Sequence, residues 1–185
     1  MAEAFDVIVV GGGAAGLMCA IEAGKRGRRV VVVEHADEVG KKILISGGGR
    51  CNFTNTLAVP EVYLSENPRF AISALTRYTS ADLVELVEQH GIAYHEKKLG
   101  QLFCDGPARQ IVDMLLAECA EGGVSIRTSC SVTDVERAGD GFAIATTLGT
   151  LSAEALVVAT GGLSIPKMGA TGFAHDLARQ FGLAV

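Results

Sequence analysis

The chain has 185 residues and a formal net charge of −5, and because its lysines and arginines form no continuous basic face, we expect no nucleic-acid partner. Hydrophobic residues make up 49% of the chain, yet no apolar run is long enough to cross a bilayer, so no membrane partner is expected. The five cysteines form no CxxC pair and the four histidines no HExxH motif, which predicts neither a disulfide framework nor a bound metal.

The beginning of the chain predicts a strand, a glycine-rich turn, a helix and a second strand. Residues 6–10 are Asp6 followed by four apolar, β-branched residues, and residues 11–16 read Gly-Gly-Gly-Ala-Ala-Gly. Residues 17–25 favour a helix, and residues 29–34 predict an apolar strand ending in Glu34. This order and spacing are typical of a dinucleotide-binding βαβ unit, in which the final carboxylate accepts hydrogen bonds from ribose hydroxyls. A structural glycine turn with a surface glutamate is the alternative, and the context of the turn disfavours it.

Each glycine of the turn has a distinct physical role in this interpretation. Gly11 lets the chain turn sharply out of the strand, and Gly13 lets a pyrophosphate approach the backbone because it has no Cβ. Gly16 lets the helix pack close to the sheet. The amides at the helix start, at Ala14 and Ala15, then face the phosphates, and the helix dipole favours their negative charge.

A second glycine-rich loop lies in residues 40–55, where Gly47–Gly49 precede Arg50. Such a loop can bring backbone amides against a ligand that the first loop holds. Arg50 and Lys42 supply positive charge for phosphates in this interpretation. From these residues alone, a flexible surface loop explains the pattern equally well.

The middle of the chain predicts short helices and strands. Pro68 favours the start of a helix, Thr79 with Asp82 resembles a capping box, and Gly91 is a plausible helix C-cap. Residues 92–96 and 100–105 favour short strands.

The remaining helix and parallel strands follow in order. Pro107 suits the first turn of a helix that Gly122-Gly123 ends, and residues 124–127 predict the next parallel strand. Residues 155–159 read as a buried parallel strand, and residues 176–181 as a final helix.

Between these elements, residues 131–137, 142–147 and 150–151 alternate in the manner of strands. Gly139-Asp140 and Leu148-Gly149 lie where tight hairpin turns are expected. The pattern predicts a three-stranded antiparallel meander, and a simple antiparallel flap remains the alternative.

No side chain stands out as catalytic. Cys51 has no partner cysteine nearby in the sequence and is interpreted as a packing residue. His90 and His95 are interpreted as surface or helix-end histidines, with a position facing a substrate as the alternative.

The chain resembles the BaiN-like (YhiN-type) NAD(P)/FAD-dependent oxidoreductases, which are flavoproteins with two dinucleotide-binding domains. The resemblance rests on residues 11–16, 41–55, 159–166 and 169–172. It implies that the first loop holds the FAD pyrophosphate and Glu34 the adenosine ribose. It further implies that the loop from Gly48 to Asn52 lies near the flavin, that the backbone around Val132 meets the adenine, and that the turn after residue 159 backs the dinucleotide.

The expected fold class is therefore α/β: a Rossmann-like FAD/NAD(P)-binding domain, with a parallel sheet, helices on both faces and an inserted antiparallel β-meander. Members of the family are longer, so residues 1–185 are expected to be an incomplete FAD-binding domain that lacks a substrate-side insertion and a C-terminal completing segment. The chain departs from the family at Ala174-His175, where a glycine and an aromatic residue are expected. Its high apolar content is consistent with a surface covered by the missing segments or by a homo-oligomer.

The predicted function is that of a cytoplasmic FAD-dependent oxidoreductase that passes electrons from NAD(P)H to a small-molecule substrate. A bound flavin carries the redox chemistry itself, so an acid–base pair need not be visible in the sequence. The alternatives are a plain NAD-binding Rossmann protein, a truncated nucleotide-binding module without activity, and an RNA-modifying flavoprotein, which the acidic charge disfavours. The candidate cofactor-binding residues are Gly11, Gly13, Ala14, Ala15, Gly16, Glu34, His35, Lys42, Gly48, Gly49, Arg50, Cys51, Asn52, Val132, Ala159, Thr160, Gly161 and Gly162.

Overall fold

A computed structural model describes residues 2–163 and 171–185. The chain forms two compact units, of which unit 1 comprises Met1–Lys42 and Leu115–Val185, and unit 2 comprises Ile43–Met114. Residues 164–166 and 169–170, which contributed to the family resemblance, lie outside the described residues. Within the described ranges, no helix has both the length and the apolar character that a membrane span requires.

Unit 1 is built on one six-stranded sheet. Its strands are β1 (Glu3–Val10), β2 (Val30–Val33), β6 (Ser125–Arg127), β7 (Val132–Ala138), β8 (Gly141–Thr146) and β9 (Gly149–Val158). They lie in the order β6-β2-β1-β9-β8-β7. Strands β6, β2, β1 and β9 are parallel, whereas β8 and β7 continue the sheet in antiparallel fashion. The helices are α1 (Ala14–Lys25), α5 (Arg109–Glu121), which crosses from unit 2, and α6 (Phe173–Gln180).

Both faces of the parallel strands are buried, which explains why their sequences are continuously apolar. On one face, Val9 and Val32 pack with Ala20 of α1. On the other face, Val10 and Val33 belong to the cluster that contains Leu177 of α6 and residues of the meander. The predicted Rossmann-like fold, with helices on both faces of a parallel sheet and an antiparallel meander, is confirmed.

Strand β9 differs from the prediction of two separate strands at residues 150–151 and 155–159. It is a single ten-residue strand whose first half pairs with β8 and which pairs with β1 along most of its length. Leu151 pairs with both Ile144 and Glu3, and Val158 with Val10. No glycine or proline interrupts residues 150–158, so one extended segment serves both the meander and the parallel sheet.

Helix boundaries agree with the sequence to within a few residues. Helix α5 begins at Arg109, and Pro107 lies in the preceding turn, where its carbonyl accepts from the Gln110 N–H at 3.0 Å. Gly123, with φ +65°, follows the end of this helix. Helix α6 begins at Phe173 rather than at residue 176.

Unit 2 contains a separate three-stranded antiparallel sheet with the order β3-β5-β4. Its elements are a 3-10 turn (Ser46–Gly48), β3 (Asn52–Asn55), a second 3-10 turn (Pro60–Val62), α3 (Ile72–Arg77), α4 (Ser80–Gln89), β4 (Tyr94–Glu96) and β5 (Gln101–Cys104); α2 (Lys41–Ile45) enters it from unit 1. Strand β3 was not predicted, because its sequence Asn-Phe-Thr-Asn lacks apolar alternation. Its pairing with β5 creates the strand.

The predicted capping box at the start of α4 is present and supplies a stability test. The Thr79 side chain accepts from the Asp82 N–H, and Asp82 Oδ2 accepts from the Thr79 N–H at 2.6 Å. We expect Thr79→Ala to lower the free energy of unfolding by about 1 kcal/mol, since one helix N–H loses its acceptor. Thermal unfolding of this variant against Ser73→Ala, an exposed control in α3, measures the effect, and equal melting temperatures would contradict it.

Candidate dinucleotide-binding site

Gly11 makes the turn that follows strand β1. Its φ is +110°, and its N–H donates to the Val33 carbonyl at 2.8 Å. A Cβ at this position would lie 2.5 Å from the Ala159 carbonyl oxygen. The turn therefore needs glycine both for its backbone conformation and for its close approach to the end of β9.

Gly16 and Gly13 differ in their surroundings. A Cβ at Gly16 would lie 1.9 Å from the Gly11 carbonyl oxygen, whereas a Cβ at Gly13 would meet no atom within 4 Å among the described residues. Ala14 and Ala15, which begin α1, are exposed. Gly16 thus lets the helix contact the turn, and Gly13 leaves open space in front of the helix N-terminus.

Glu34 connects the end of β2 to the glycine turn. Its side chain is buried, and its Oε2 accepts from the Gly12 N–H at 2.7 Å while its Oε1 accepts from the Ala36 N–H at 2.8 Å. His35 Nδ1 lies 2.9 Å from Oε1. A carboxylate offers about four acceptor positions, and here two backbone N–H groups use two of them. A ribose hydroxyl would therefore bind at one of the remaining positions.

Gly12 was missed by the sequence analysis as a site residue. A Cβ there would lie 2.6 Å from Val39 Cγ1 and 3.3 Å from Glu34 Cβ. The Gly12 carbonyl also accepts from the Gly40 N–H at 2.8 Å. The middle glycine of the Gly-Gly-Gly run was the available signal, but its contact with Glu34 depends on how β1 and β2 pair.

The turn that follows β9 lies beside the first glycine turn. The Ala159 N–H donates to the Val10 carbonyl at 2.8 Å, and Gly161 has φ +74°. The hydroxyl of Thr160 is buried and has no hydrogen-bond partner among residues 2–163 and 171–185. Lys42 Nζ lies 3.6 Å from the position of a Cβ on Gly161, which brings one positive charge to this turn.

The structure thus brings the first glycine turn, Glu34, Lys42 and the 159–162 turn to the carboxyl edge of the parallel strands, where ligands bind in open α/β sheets. Val132 opens β7 and packs against the apolar cluster that includes Val10 and Val33. The remaining candidates lie in unit 2.

In unit 2, the loop from Gly48 to Asn52 is held by backbone hydrogen bonds. The Gly49 carbonyl accepts from the Ala108 N–H at 2.7 Å, and the Arg50 carbonyl accepts from the Cys104 N–H at 3.0 Å. These bonds disfavour the alternative of a flexible surface loop. Arg50 and Asn52 are exposed.

Cys51 is buried and has φ +49°. Burial raises the pKa of its thiol, and burial likewise raises the pKa of Cys104 to about 11. The Cys104 N–H lies 3.4 Å from the Cys51 carbonyl oxygen. Both thiols therefore stay protonated at neutral pH, which agrees with a packing role for Cys51.

The residues of unit 1 fit a dinucleotide. Gly13 leaves room for a pyrophosphate, the exposed start of α1 presents backbone N–H groups and the positive end of a helix dipole, and Lys42 adds charge. The buried hydroxyl of Thr160, which meets no hydrogen-bond partner in the described part of the chain, is a polar atom that a ligand can satisfy.

Comparison with known proteins identifies one matching family and several similar proteins. The HI0933-like protein Rossmann domain family matches residues 5–185. The chain is 52% identical over 183 residues to the ribosomal RNA dihydrouridine synthase of Escherichia coli K12, covering 99% of this chain and 46% of that protein. It is 29% identical to the 3-dehydro-bile acid delta(4,6)-reductase of Clostridium scindens, covering 94% of this chain and 43% of that protein. The chain therefore spans about half the length of these relatives.

Among solved structures, the glycine oxidase of Geobacillus kaustophilus superposes with a TM-score of 0.66 at 19% sequence identity, covering 100% of this chain and 60% of that structure. At this identity the match supports the Rossmann-like fold alone and no particular activity or substrate.

Proposed function

This chain belongs to the HI0933-like protein Rossmann domain family, and from that membership we propose that it is the FAD-binding part of a flavoprotein reductase. The observation that carries the proposal is the first glycine turn, where Gly13 opens onto the exposed start of α1. When bound, the flavin supplies the hydride that reduces the substrate, and we propose NAD(P)H as its source of electrons.

Each part of unit 1 has a defined role in this proposal. Backbone N–H groups at Ala14 and Ala15 hold the pyrophosphate, and Thr160 donates its hydroxyl to the cofactor. Glu34 orders the turn through the Gly12 N–H and receives the ribose at its remaining acceptor position. The other proposed cofactor-binding residues are Gly11, Gly13, Gly16, His35, Lys42, Val132, Ala159, Gly161 and Gly162 in unit 1, and Gly48, Gly49, Arg50, Cys51 and Asn52 in unit 2.

For the full-length protein, we propose uridine in ribosomal RNA as the substrate. The name of the E. coli relative supports this, and the name of the bile acid reductase supports the same reaction type. Dihydrouridine differs from uridine by saturation of the C5–C6 bond, which is conjugated to a carbonyl group. The shared chemistry is therefore addition of a hydride and a proton to a conjugated C=C bond.

This proposal replaces the expectation of a small-molecule substrate without a nucleic-acid partner. The expectation of no nucleic-acid partner rested on the net charge of −5 and on the absence of a continuous basic face. Both were judged over a chain that spans about half the length of the relatives. Electrostatic attraction to RNA depends on where charge lies in the whole protein, so the balance of one part does not decide it.

The test uses the full-length protein and begins with its visible absorption spectrum and the mass of the released chromophore. We expect bound FAD, bleaching by NADH or NADPH without oxygen, and formation of dihydrouridine in ribosomal RNA that lacks it, detected by nucleoside mass spectrometry. Gly13→Val is the matched control, since it should fold without binding FAD. A protein that folds without FAD would contradict the proposed cofactor. A flavoprotein that leaves ribosomal RNA unchanged would contradict the proposed substrate.

A further inference from the structure

One face of the small sheet in unit 2 carries a row of three side chains. Phe103 of β5 pairs with His95 of β4 on one side and with Asn52 of β3 on the other. Residues directly opposite in an antiparallel sheet share a face. His95 therefore lies in register with Asn52, the residue that ends the Gly48–Asn52 loop.

His95 forms a pair with Asp105. Its Nδ1 lies 2.6 Å from Asp105 Oδ1, and its ring stacks on Phe103 with centroids 6.4 Å apart and an interplanar angle of 20°. Both members are accessible, with side chains 45% and 52% exposed. A hydrogen bond at one ring nitrogen orients an imidazole and determines which nitrogen is presented outward. Here Asp105 holds Nδ1, so Nε2 is the nitrogen directed away from the carboxylate.

The glycine loop packs on the same aromatic ring. A Cβ at Gly47 would lie 2.8 Å from Phe103 Cε1 and 2.8 Å from the Asn52 nitrogen. Lys97 Nζ lies 5.0 Å from the centroid of Phe103. Phe103 therefore contacts both the glycine loop and His95, and a ligand at the exposed Asn52 would lie on the same face of the sheet as His95.

We propose that His95 donates the proton that completes reduction of the substrate C=C bond, with Asp105 as its positioning residue. The proposal rests on the proposed function, in which the Gly48–Asn52 loop binds the cofactor. A hydride delivers two electrons and one hydrogen to one carbon of the double bond. The displaced π pair takes the proton from His95 Nε2 onto the neighbouring carbon, and the imidazole regains a proton from water. The net reaction consumes one NAD(P)H and one proton per bond reduced.

A catalytic role and a structural role for the pair predict different effects of removing His95. Exposed ion pairs contribute roughly 0–1 kcal/mol to stability, so under the catalytic role loss of His95 should leave the fold and the cofactor site intact. The effect must then appear in the step that transfers hydrogen to the substrate, and not in the loading or reduction of the flavin.

The experiment uses the full-length protein with His95→Gln. We expect unchanged melting temperature, FAD content and rate of bleaching by NAD(P)H, while re-oxidation by dihydrouridine-free ribosomal RNA slows about 10²- to 10⁴-fold, the usual range for loss of a general acid. Asp105→Asn should slow the same step less. In the flavin-free protein, Asp105→Asn should also shift the ¹⁵N resonance of His95 Nδ1, which is a readout independent of activity.

Tyr94→Phe is the matched control, because Tyr94 precedes His95, lies on the opposite face and donates its hydroxyl to Glu88 at 2.7 Å. It should leave re-oxidation unchanged. Re-oxidation of the His95→Gln protein at the wild-type rate, or a loss of FAD content in that variant, would overturn the proposal. Failure of ribosomal RNA to oxidise the wild-type flavoprotein would instead overturn the proposed function.

Discussion

Gly16→Ala is expected to destabilise unit 1 by about 3 kcal/mol or more and to abolish FAD binding, an effect at the upper end of overpacking substitutions. The added Cβ would lie 1.9 Å from the Gly11 carbonyl oxygen. That oxygen belongs to the backbone, so no side-chain rotation relieves the clash and helix α1 must move away from the turn. Thermal unfolding and FAD content measure the two consequences.

Gly13→Ala is the control for this prediction. Gly13 has φ −82° and ψ −176°, an extended conformation that any residue adopts, and its Cβ would meet no described atom within 4 Å. We expect wild-type stability for this variant and for the larger Gly13→Val, with FAD binding lost in the latter because its side chain fills the ligand space. Equal stability of the Gly16→Ala protein and wild type would contradict the structural basis of the prediction.

Glu34→Ala is also expected to have a large effect, because it removes the acceptor of two backbone N–H groups. Hydrogen bonds to charged groups contribute about 1.5–3 kcal/mol each, so we expect a loss of roughly 3–5 kcal/mol in the free energy of unfolding. FAD affinity of the folded protein should fall about ten- to hundred-fold if the ribose also binds this carboxylate.

The two roles of Glu34 are separated by measuring both quantities. Calorimetric titration with FAD at a temperature where the variant stays folded gives the affinity, and thermal unfolding gives the stability. Glu34→Gln keeps one acceptor oxygen and should lose less of both. A stable Glu34→Ala protein would contradict the observed hydrogen bonds, whereas a destabilised protein with unchanged affinity would show that Glu34 orders the turn without contacting the ribose.

Local signals in the sequence predicted much of this fold correctly. The glycine spacing placed the turn between β1 and α1, the Thr79–Asp82 pair placed the start of α4, and the Gly122-Gly123 pair placed the end of α5. Each of these features depends on residues within a few positions of one another, and backbone sterics or a local hydrogen bond decides them.

The elements that sequence analysis missed depend on partners far along the chain. Strand β3 becomes a strand because β5, about fifty residues later, pairs with it. Strand β9 joins two predicted strands into one because β8 pairs with its first half while β1 pairs with it along most of its length. No local propensity identifies such pairings, since β structure depends on neighbours across the sheet.

The same division applies to the functional residues. The sequence alone predicted the glycine turn between β1 and α1, the close backbone approaches of Gly11 and Gly16, and an acidic residue at the end of β2, because these follow from the steric needs of a short segment. Only the tertiary structure decided that Glu34 accepts from the Gly12 N–H and that His95 meets Asp105 across the register of β4 and β5. Strand pairing brings these residues together in the folded chain. The sequence therefore does not identify which group a given carboxylate or imidazole will contact.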